Sequence, residues 1–347
     1  MTAPPGQLRP AAPRHRRPRP RRRLRPGAVL AHVAALLCTL AFAGVALPDL
    51  LGLDRRTPFV QLLAFRPWTL VGGLGAALVL AMVWRFVRPV RPFVAPLLAG
   101  VVAVVLVGAA MVLPRVVPDP LPTTGTPLTV LAFNTFEGHA DPAALAALVA
   151  EQRPDLVSIP EAGEDYRVDL APLVEPLGYR VEASTDAEDV NSVTALVSER
   201  LGDVTFRTGD EPAYFPYVEA TGGELGDLRF VAYHAAAPLR GQLRQWEGDL
   251  ALLSRWCTAA TPAIVAGDLN ATLDHSALRS GMAGCSDAAD QRGEGLVPTW
   301  SPTDRTQLFG PQIDHVLSTA GIAAETFTVH DVEGSDHRAV VTRLRLP

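Results

Sequence analysis

The first third of the chain is dominated by three long apolar runs, Ala28–Leu47, Trp68–Trp84 and Phe93–Leu113, and none of them contains a charged residue. Each run is close to the ~20 residues that a helix needs to cross the hydrocarbon core of a bilayer. Three such runs so near one another favour membrane spans over a buried hairpin of a soluble protein. A cleaved signal peptide in place of the first run would still leave the other two in the bilayer.

The arginines that flank these runs predict how the spans are oriented. Residues 1–26 form an Arg/Pro-rich tail, and the loop between the second and third runs carries Arg85, Arg88 and Arg91, whereas the first loop is nearly neutral. Because short cytoplasmic loops are enriched in basic residues, the tail and the second loop are expected inside. Three spans then place everything after Leu113 outside the cytoplasm, on a multi-pass protein of the plasma membrane. The tail is expected to be disordered, and a nucleic-acid-binding arm is the rival interpretation.

Charge separates the chain into two unlike parts. Residues 1–118 contain 16 Arg and 2 acidic residues, whereas residues 119–347 contain 15 Arg and 34 acidic residues, so that the second part carries −19. Residues 114–127 are rich in Pro and are predicted to form a semi-rigid linker that leads off the membrane. The expected organisation is a cytoplasmic tail over 1–26, three transmembrane helices over 27–113, this linker, and one acidic domain over 128–347.

After the linker the pattern changes to short β-rich runs that alternate with helical ones, as in a single α/β domain. Amphipathic spacing predicts helices over Asp141–Gln152, with Asp141 as N-cap and Pro142 as the first helical residue, and over Arg240–Cys257. β-branched content and flanking turn residues predict strands over Leu128–Asn134, Leu156–Glu161, Thr194–Ser198, Arg229–His234, Ala263–Asp268, Ile313–Ser318 and Ala339–Leu346.

Polar side chains stand where these apolar strands begin or end. Any one of them alone is most simply a cap or turn residue, but several together predict a single cluster at one rim of a sheet. The strand ends carry a carboxylate, a carboxamide or an imidazole in six places: Asn134, Glu161, His234, Asp268 with Asn270, Asp314 with His315, and Asp336 with His337.

The residue types in this cluster indicate hydrolytic chemistry with a hard cation. Carboxylates and a carboxamide without a thiolate suit Mg²⁺, and also Mn²⁺ or Ca²⁺, better than a structural zinc ion. Imidazoles beside carboxylates suit proton transfer near neutral pH. A cation that draws charge from phosphate oxygens, together with a His–Asp base, forms a coherent set for phosphoester hydrolysis.

Four further residues matter for the fold of this part. Cys257 and Cys285 would pair in an exported domain and stay free in a cytosolic one, and the sequence leaves both possibilities open. Asp274 is expected to be the N-cap of a following helix. His275 is close enough to the cluster to line a pocket, but a packing role is the simpler interpretation.

The ordered set of motifs resembles the endonuclease/exonuclease/phosphatase superfamily, which contains DNase I-like nucleases, sphingomyelinases and inositol polyphosphate phosphatases. The resemblance covers essentially residues 128–347 and suggests a membrane-anchored bacterial member. It implies a four-layer α/β sandwich in which helices flank two central mixed β-sheets. The residues that carry it are, in family order, Phe133-Asn134, Pro160-Glu161, His234, Gly267-Asp268-Leu269-Asn270, Pro298-Thr299-Trp300, Ile313-Asp314-His315 and Ser335-Asp336-His337.

The resemblance also implies a metal site. Glu161 would be the principal ligand of Mg²⁺ (or Mn²⁺/Ca²⁺), with Asn134 and Asp336 beside it. Some members carry an Asp two residues after the first-strand Asn, where this chain has Phe136. The departure puts a second metal ion in doubt and leaves the other ligands in place.

Catalytic roles are implied for the remaining strand-end residues. His337, oriented by Asp314, would activate water or balance the leaving oxygen. Asp268 and Asn270 would orient the nucleophile and hold a phosphate oxygen. His234 would contact the phosphate and could act as general acid.

The expected function is therefore hydrolysis of phosphoesters outside the cytoplasm, and the substrate class stays open. Duplex DNA binders usually show a basic footprint, so the charge of −19 disfavours an avid nuclease without excluding nucleic acid. Lipid head groups and small phosphodiesters are the other candidates, the membrane lipid is contacted through the three spans, and no protein partner is indicated. The competing interpretation is a catalytically inactive receptor or scaffold that retains the fold. A transporter is disfavoured because the spans lack charged residues.

Overall fold

Three apolar helices precede the globular part of the chain. The computed structural model describes residues 26–185, 188–302 and 309–347, so the tail predicted over the first 25 residues lies outside the described residues. The helices α1 (Pro26–Ala46), α3 (Arg66–Phe86) and α4 (Arg91–Val112) are each long and apolar enough to cross a membrane, as expected from the three apolar runs. A short helix, α2 (Phe59–Leu63), lies in the loop between α1 and α3.

Small residues allow these helices to approach one another closely. A β-carbon added at Gly100 would lie 2.2 Å from Thr39 Oγ1, and one at Gly108 would lie 2.5 Å from Leu70 Cδ2. Both glycines belong to α4, which packs against α1 and α3. Such close contacts are typical of helices that associate within a membrane, where burial of apolar surface supplies little driving force.

The globular part contains two six-stranded sheets. The first has the strand order β11-β12-β1-β2-β4-β3 and the second the order β5-β6-β7-β8-β10-β9. Both are mixed, because β1–β2 and β7–β8 pair in parallel and the other neighbours pair antiparallel. The strands are β1 (Thr126–Ala132), β2 (Leu156–Pro160), β3 (Tyr179–Ala183), β4 (Val193–Ser198), β5 (Val204–Gly209), β6 (Tyr217–Gly222), β7 (Arg229–His234), β8 (Ala263–Asp268), β9 (Cys285–Asp287), β10 (Asp314–Thr319), β11 (Ala323–Asp331) and β12 (Arg338–Leu346).

Helices cover the outer face of each sheet, which gives four layers. One apolar core lies between the sheets and includes Val130, Ala195, Phe230 and Val316. Another core lies between the first sheet and the helices that cover it. A third core lies between the second sheet and its covering helices. The helices of the globular part are α5 (Pro142–Gln152), α6 (Glu164–Val174), α7 (Leu243–Leu252), α8 (Ser254–Cys257), α9 (Ser276–Gly281) and α10 (Ala288–Gln291). This is the predicted four-layer sandwich.

The predicted strands and the first predicted helix are observed, whereas the second predicted helix differs. β7 and β8 have the predicted bounds, and Asp141 caps α5 by accepting a hydrogen bond from Ala143 N at 2.9 Å. The helix predicted over Arg240–Cys257 begins only at Leu243 and is divided into α7 and α8. Gly241, with φ of 92°, adopts a left-handed conformation that an α-helix does not contain, so the helix starts after it.

The Pro-rich segment 114–127 lies against the globular part rather than apart from it. Arg115 O accepts a hydrogen bond from Gly295 N at 3.2 Å, and Asp119 N donates to Gln291 O at 2.9 Å. Arg292 also donates to Asp119 O at 2.9 Å. The segment then continues directly into β1.

A buried ion-pair network joins the apolar helices to the globular part. Arg66, at the start of α3, is fully buried; its guanidinium pairs with Asp49 and lies 2.7 Å from Asp274 Oδ1. Arg115 reaches the same Asp274 oxygen at 2.8 Å, and Arg279 reaches Asp49 Oδ2 at 3.1 Å. The prediction that Asp274 caps a helix is therefore wrong: His275 occupies the N-cap position of α9, and the Asp274 carboxylate neutralises two arginines from distant parts of the chain.

A disulfide joins Cys257, at the end of α8, to Cys285, at the start of β9. The bond closes a segment of 28 residues that contains β8 and α9. A cross-link of this kind stabilises a fold chiefly by restricting the unfolded chain. The pairing answers the question that the sequence left open.

We predict that Asp274→Asn destabilises the full-length protein by about 3–5 kcal/mol, because it leaves two buried arginines without their shared carboxylate. Glu247→Gln is the matched control, since Glu247 also pairs across the junction, at 3.5 Å from Arg55, but both side chains are partly exposed. The control is expected to change stability by less than about 1 kcal/mol. Unfolding in detergent micelles, followed by tryptophan fluorescence, measures both, and equal effects would contradict a structural role for the network.

Candidate active site at the facing ends of the two sheets

The strand ends of both sheets meet at one edge of the sandwich. β1 and β2 run parallel in the first sheet, and β7 and β8 run parallel in the second, so the residues at their C-terminal ends lie together. β10 runs antiparallel to β8 and pairs its first residue, Asp314, with Asp268. The side chains gathered at this edge are Asn134, Glu161, His234, Asp268, Asn270, Asp314, Asp336 and His337.

The Asp268 carboxylate lies at the centre of the group. Its Oδ2 accepts hydrogen bonds from Asn134 Nδ2 at 3.0 Å and from Asn270 Nδ2 at 3.3 Å. The same oxygen lies 3.6 Å from His234 Nε2 and 3.7 Å from His337 Nε2. Asp268 is 1% exposed, so these partners replace nearly all of its contact with water.

The glycine before Asp268 is required by close approach of the backbone. Gly267 has φ of 144°, and a β-carbon at this position would lie 1.9 Å from Tyr233 O and 3.1 Å from Ser158 Oγ. Any side chain here would therefore push β8 away from its neighbour in the sheet and from the facing sheet. The Gly-Asp-Leu-Asn motif thus combines a packing requirement with two polar groups of the cluster.

A buried pair orients His337. Its Nδ1 lies 2.9 Å from Asp314 Oδ2, and Asp314 is fully buried. Thr299 Oγ1 accepts a hydrogen bond from Asp314 N at 3.0 Å, which holds the start of β10 in place. Since Nδ1 is engaged with Asp314, Nε2 faces the cluster, 3.7 Å from Asp268 Oδ2 and 3.9 Å from Asp336 Oδ1.

Glu161 is held in the cluster by a left-handed backbone conformation. It follows β2 with φ of 58°, a value that non-glycine residues adopt rarely and that often marks functional sites. Its Oε1 accepts a hydrogen bond from Asn134 Nδ2 at 3.0 Å, and its Oε2 accepts one from Glu137 N at 2.7 Å. Its Oε1 also lies 3.8 Å from His234 Nε2.

The donor set suits a hard divalent cation. Glu161, His234 and Asp268 present ligand atoms within 4.8 Å of one another, and Asp268, Asp314 and His337 form a second such group. Asp336 supports the presence of a cation site. Trp300 Nε1 donates a hydrogen bond to Asp336 Oδ2 at 2.9 Å, whereas Asp336 Oδ1 is buried without a hydrogen-bond partner among the described residues. A buried carboxylate oxygen without a donor is stabilised by a cation.

Asn134 lies in the cluster with its amide NH₂ group directed at two carboxylates. Its Oδ1 accepts a hydrogen bond from Phe136 N at 2.8 Å, and its NH₂ group faces Glu161 and Asp268. In this orientation Asn134 is a donor that holds two carboxylates together. It would offer an oxygen to a cation only with its amide turned over.

Burial and neighbouring charges shift the pKa values of the titratable groups in opposite directions. Burial lowers the pKa of His234 to about 3, and the proximity of His337 acts in the same sense. Burial raises the pKa of Asp268 to about 7, against the opposing effect of His337. Burial also disfavours the charged form of His337, but Asp314 and Asp268 outweigh it and raise the pKa of His337 to about 10. The cation-free cluster therefore contains one neutral imidazole and one imidazolium at neutral pH.

The site includes an aromatic contact that the sequence did not indicate, and one strand-end histidine lies outside it. Phe215 stacks on the His234 ring with centroids 3.9 Å apart and planes at 13°; it stands in a connection between strands, where no pattern indicated a site. His315, although it adjoins Asp314, turns away from the cluster and bonds through Nδ1 to Asp287 at 2.8 Å. The packing role expected for His275 agrees with its burial against Trp246.

We predict that Asp314→Asn lowers the pKa of His337, because it removes the nearest carboxylate and leaves burial to favour the neutral ring. In the native protein this pair stabilises the fold below the ordinary His pKa, and the contribution is lost as pH rises through about 10. NMR titration of ¹³C-labelled histidines in the cation-free, full-length chain measures the shift. Asp287→Asn is the control: it should lower the pKa of His315 and leave that of His337 in place. An unchanged His337 titration in Asp314→Asn would contradict the assignment.

Comparisons with known proteins agree with this architecture. The chain resembles D. rerio TDP2 humanized by 14 mutations, with 17% identity, a TM-score of 0.51, and coverage of 63% of this chain and 99% of that one. The truncated Caenorhabditis elegans TDP2 gives 17% identity, a TM-score of 0.51, and coverage of 63% and 97%. D. rerio TDP2 complexed with single strand DNA product gives 17% identity, a TM-score of 0.50, and coverage of 63% and 99%. At this identity the likeness shows the fold alone, and no curated protein matches the chain.

A match between the amino-acid sequence and a family model identifies the family. The model of the Endonuclease/Exonuclease/phosphatase family matches residues 131–337, which is more than half of the chain and spans the cluster from Asn134 to His337. The chain therefore belongs to the Endonuclease/Exonuclease/phosphatase family.

Proposed function

We propose that the protein is a membrane-anchored, divalent-metal-dependent phosphoester hydrolase whose active site lies outside the cytoplasm. The proposal rests on one observation. Glu161, Asp268 and Asp336 lie together with the His337–Asp314 pair at one edge of the four-layer sandwich. Carboxylates supply cation ligands and the pair supplies a proton-transfer group, which are the two requirements of metal-assisted hydrolysis.

Glu161 and Asp336 would hold the cation, which is expected to be Mg²⁺, Mn²⁺ or Ca²⁺. When bound, it would draw charge from a phosphate oxygen and so favour attack at phosphorus. Asp336 Oδ1 is available for this, since it has no hydrogen-bond partner among the described residues. The preference for oxygen ligands disfavours softer metals.

The other side chains would orient the reactants and move protons. His337 Nε2 would exchange a proton with the attacking water or the leaving oxygen, while Asp314 keeps the ring in position. Asp268 would orient the water. Asn270 Nδ2 donates to Ala235 O at 3.0 Å and to Asp268 Oδ2 at 3.3 Å, and it would hold a phosphate oxygen by exchanging one of these hydrogen bonds. The low pKa of His234 makes it a neutral hydrogen-bond partner for phosphate.

The location outside the cytoplasm rests on two features. The arginines of the tail and of the second loop favour a cytoplasmic N-terminus, and three spans then carry the domain across the membrane. The Cys257–Cys285 disulfide is the form expected of a protein that folds in an oxidising compartment.

Hydrolysis of bis-p-nitrophenyl phosphate by the full-length chain in detergent tests the proposal. We expect turnover with Mg²⁺, Mn²⁺ or Ca²⁺, its loss in EDTA, and a decrease of about 10²–10⁴-fold in His337→Ala, because the proton-transfer group is removed. His330→Ala is the matched control, since His330 lies on β11 and bonds to Thr328 outside the cluster. Comparison with p-nitrophenyl phosphate separates diesterase from monoesterase activity.

Turnover that persists in EDTA, or that is equal in His337→Ala and the native chain, would contradict the mechanism. Binding without turnover of any phosphoester would favour the competing function, a receptor or scaffold that retains the fold. The experiment uses the full chain because Arg66 and Arg115 pair with Asp274, in the loop that follows Asn270. These ion pairs connect the membrane helices to that loop.

A further inference from the structure

A cavity of about 240 Å³ lies where the membrane helices meet the globular part. One wall comes from α2 and the turn that leads into α3 and includes Val60, Ala64 and Phe65. The opposite wall comes from the globular part and includes Leu239 and Ile313. We call this space the junction cavity. Neither part of the chain forms it alone.

The junction cavity adjoins the active site. Asn270 and Trp300 line it, and both also contact the carboxylate cluster. Asn270 Nδ2 lies 3.3 Å from Asp268 Oδ2, and Trp300 Nε1 donates to Asp336 Oδ2 at 2.9 Å. A molecule whose phosphate lies at the cluster can therefore extend directly into the cavity.

Among the residues that the structure describes, the lining is mostly apolar and includes no charged side chain. The ring nitrogens of His275 are already engaged, Nε2 with Val60 O at 2.9 Å and Nδ1 with Thr272 N at 2.9 Å. Gln61 donates to Pro238 O, while its Oε1 is buried without a hydrogen-bond partner among the described residues. The cavity thus suits an aliphatic chain, with one acceptor for a hydroxyl or amide group near its polar end.

The cavity lies beside the start of α3, one of the three helices that are long and apolar enough to cross a membrane. Phe65 directly precedes α3, and Trp68 in the first turn of that helix contacts the Phe309 ring at 4.6 Å between centroids. Leu239 and Phe309 of the globular part are 56% and 55% exposed. Exposed apolar side chains next to a span are stabilised by contact with lipid, and Trp is typical of the interface between membrane and water.

We propose that the junction cavity receives the aliphatic chain of a membrane lipid while the lipid's phosphoester lies at the carboxylate cluster. This rests on the proposed hydrolase function and names its substrate class. In the reaction, the oxygen of water bonds to phosphorus, one ester P–O bond breaks, and the released oxygen takes the proton. The net charge of −19 after residue 118 supports this choice over a polyanionic nucleic acid.

Crosslinking of lipid to the full-length chain tests the proposal without requiring turnover. The chain carrying His337→Ala is reconstituted in phosphatidylcholine vesicles that contain phosphatidylglycerol with a photoreactive diazirine in one acyl chain. We expect adducts at Val60, Phe65 or Leu239, mapped by mass spectrometry. Ala64→Phe fills the cavity and should lower these adducts about tenfold. Ala76→Phe makes the same substitution at an exposed position of α3 and should leave them unchanged.

A second variant tests the same cavity without placing a larger side chain inside it. Leu239→Asp places a charge at an exposed position beside the cavity, so it should preserve the fold and lower the same adducts. Adducts confined to α1, α3 and α4, or unaffected by both variants, would overturn the proposal. So would loss of the adducts when single-stranded DNA is added. Absence of bis-p-nitrophenyl phosphate turnover in the native chain would instead refute the hydrolase function, whatever the crosslinking result.

Discussion

Repulsion among buried carboxylates is the interaction that the rest of this structure must accommodate. Asp268 and Asp314 are 1% and 0% exposed, and Glu161 and Asp336 stand beside them. Like charges in a medium of low dielectric constant destabilise a fold unless opposite charges or donors lie close by. The amides of Asn134 and Asn270 and the rings of His337 and Trp300 supply part of this compensation. A divalent cation is the partner that would complete it.

The same constraint explains why the site depends on two sheets and on unusual backbone conformations. Each strand end contributes one or two polar groups, so the cluster forms only when the corresponding ends of both sheets lie side by side. Gly267 allows β8 to approach its neighbours, and Glu161 and Asn270, with φ of 58° and 47°, turn their side chains back toward the cluster. Strain of this kind persists only where surrounding contacts determine the conformation.

The membrane helices contribute to the same arrangement. Asp274, which follows Asn270 by one short loop, is held by Arg66 from α3 and by Arg115 from the segment after α4. The loop that carries Asn270 is thereby fixed relative to the apolar helices, and the junction cavity lies between the two parts. We infer that the helices position the site as well as anchor it.

Local patterns predicted the parts of the fold that depend on local chemistry. β7 and β8 were predicted with the observed bounds because they are apolar runs that end at polar residues. The family resemblance and the four-layer sandwich are confirmed. Several outer strands were not predicted; β5, for example, has only two buried residues among its six, so no apolar run marks it in the sequence.

Contacts between distant residues account for what the sequence did not reveal. Asp274 was mistaken for a cap because its partners lie 208 and 159 residues away, and no local pattern encodes such a pair. Phe215 stacks on His234 from a connection that carries no motif. The NH₂ orientation of Asn134 likewise depends on its hydrogen bonds with Phe136, Glu161 and Asp268, which only the folded chain brings together.

Binding of Mn²⁺ to the full-length chain, followed by electron paramagnetic resonance, tests the central claim that the strand-end carboxylates hold a divalent cation. We predict saturable binding to the native chain, which Glu161→Gln abolishes because a principal ligand is lost. Glu151→Gln makes the same substitution at an exposed position of α5 and should leave binding unchanged. Absence of binding to the native chain, or equal binding by Glu161→Gln, would contradict the account.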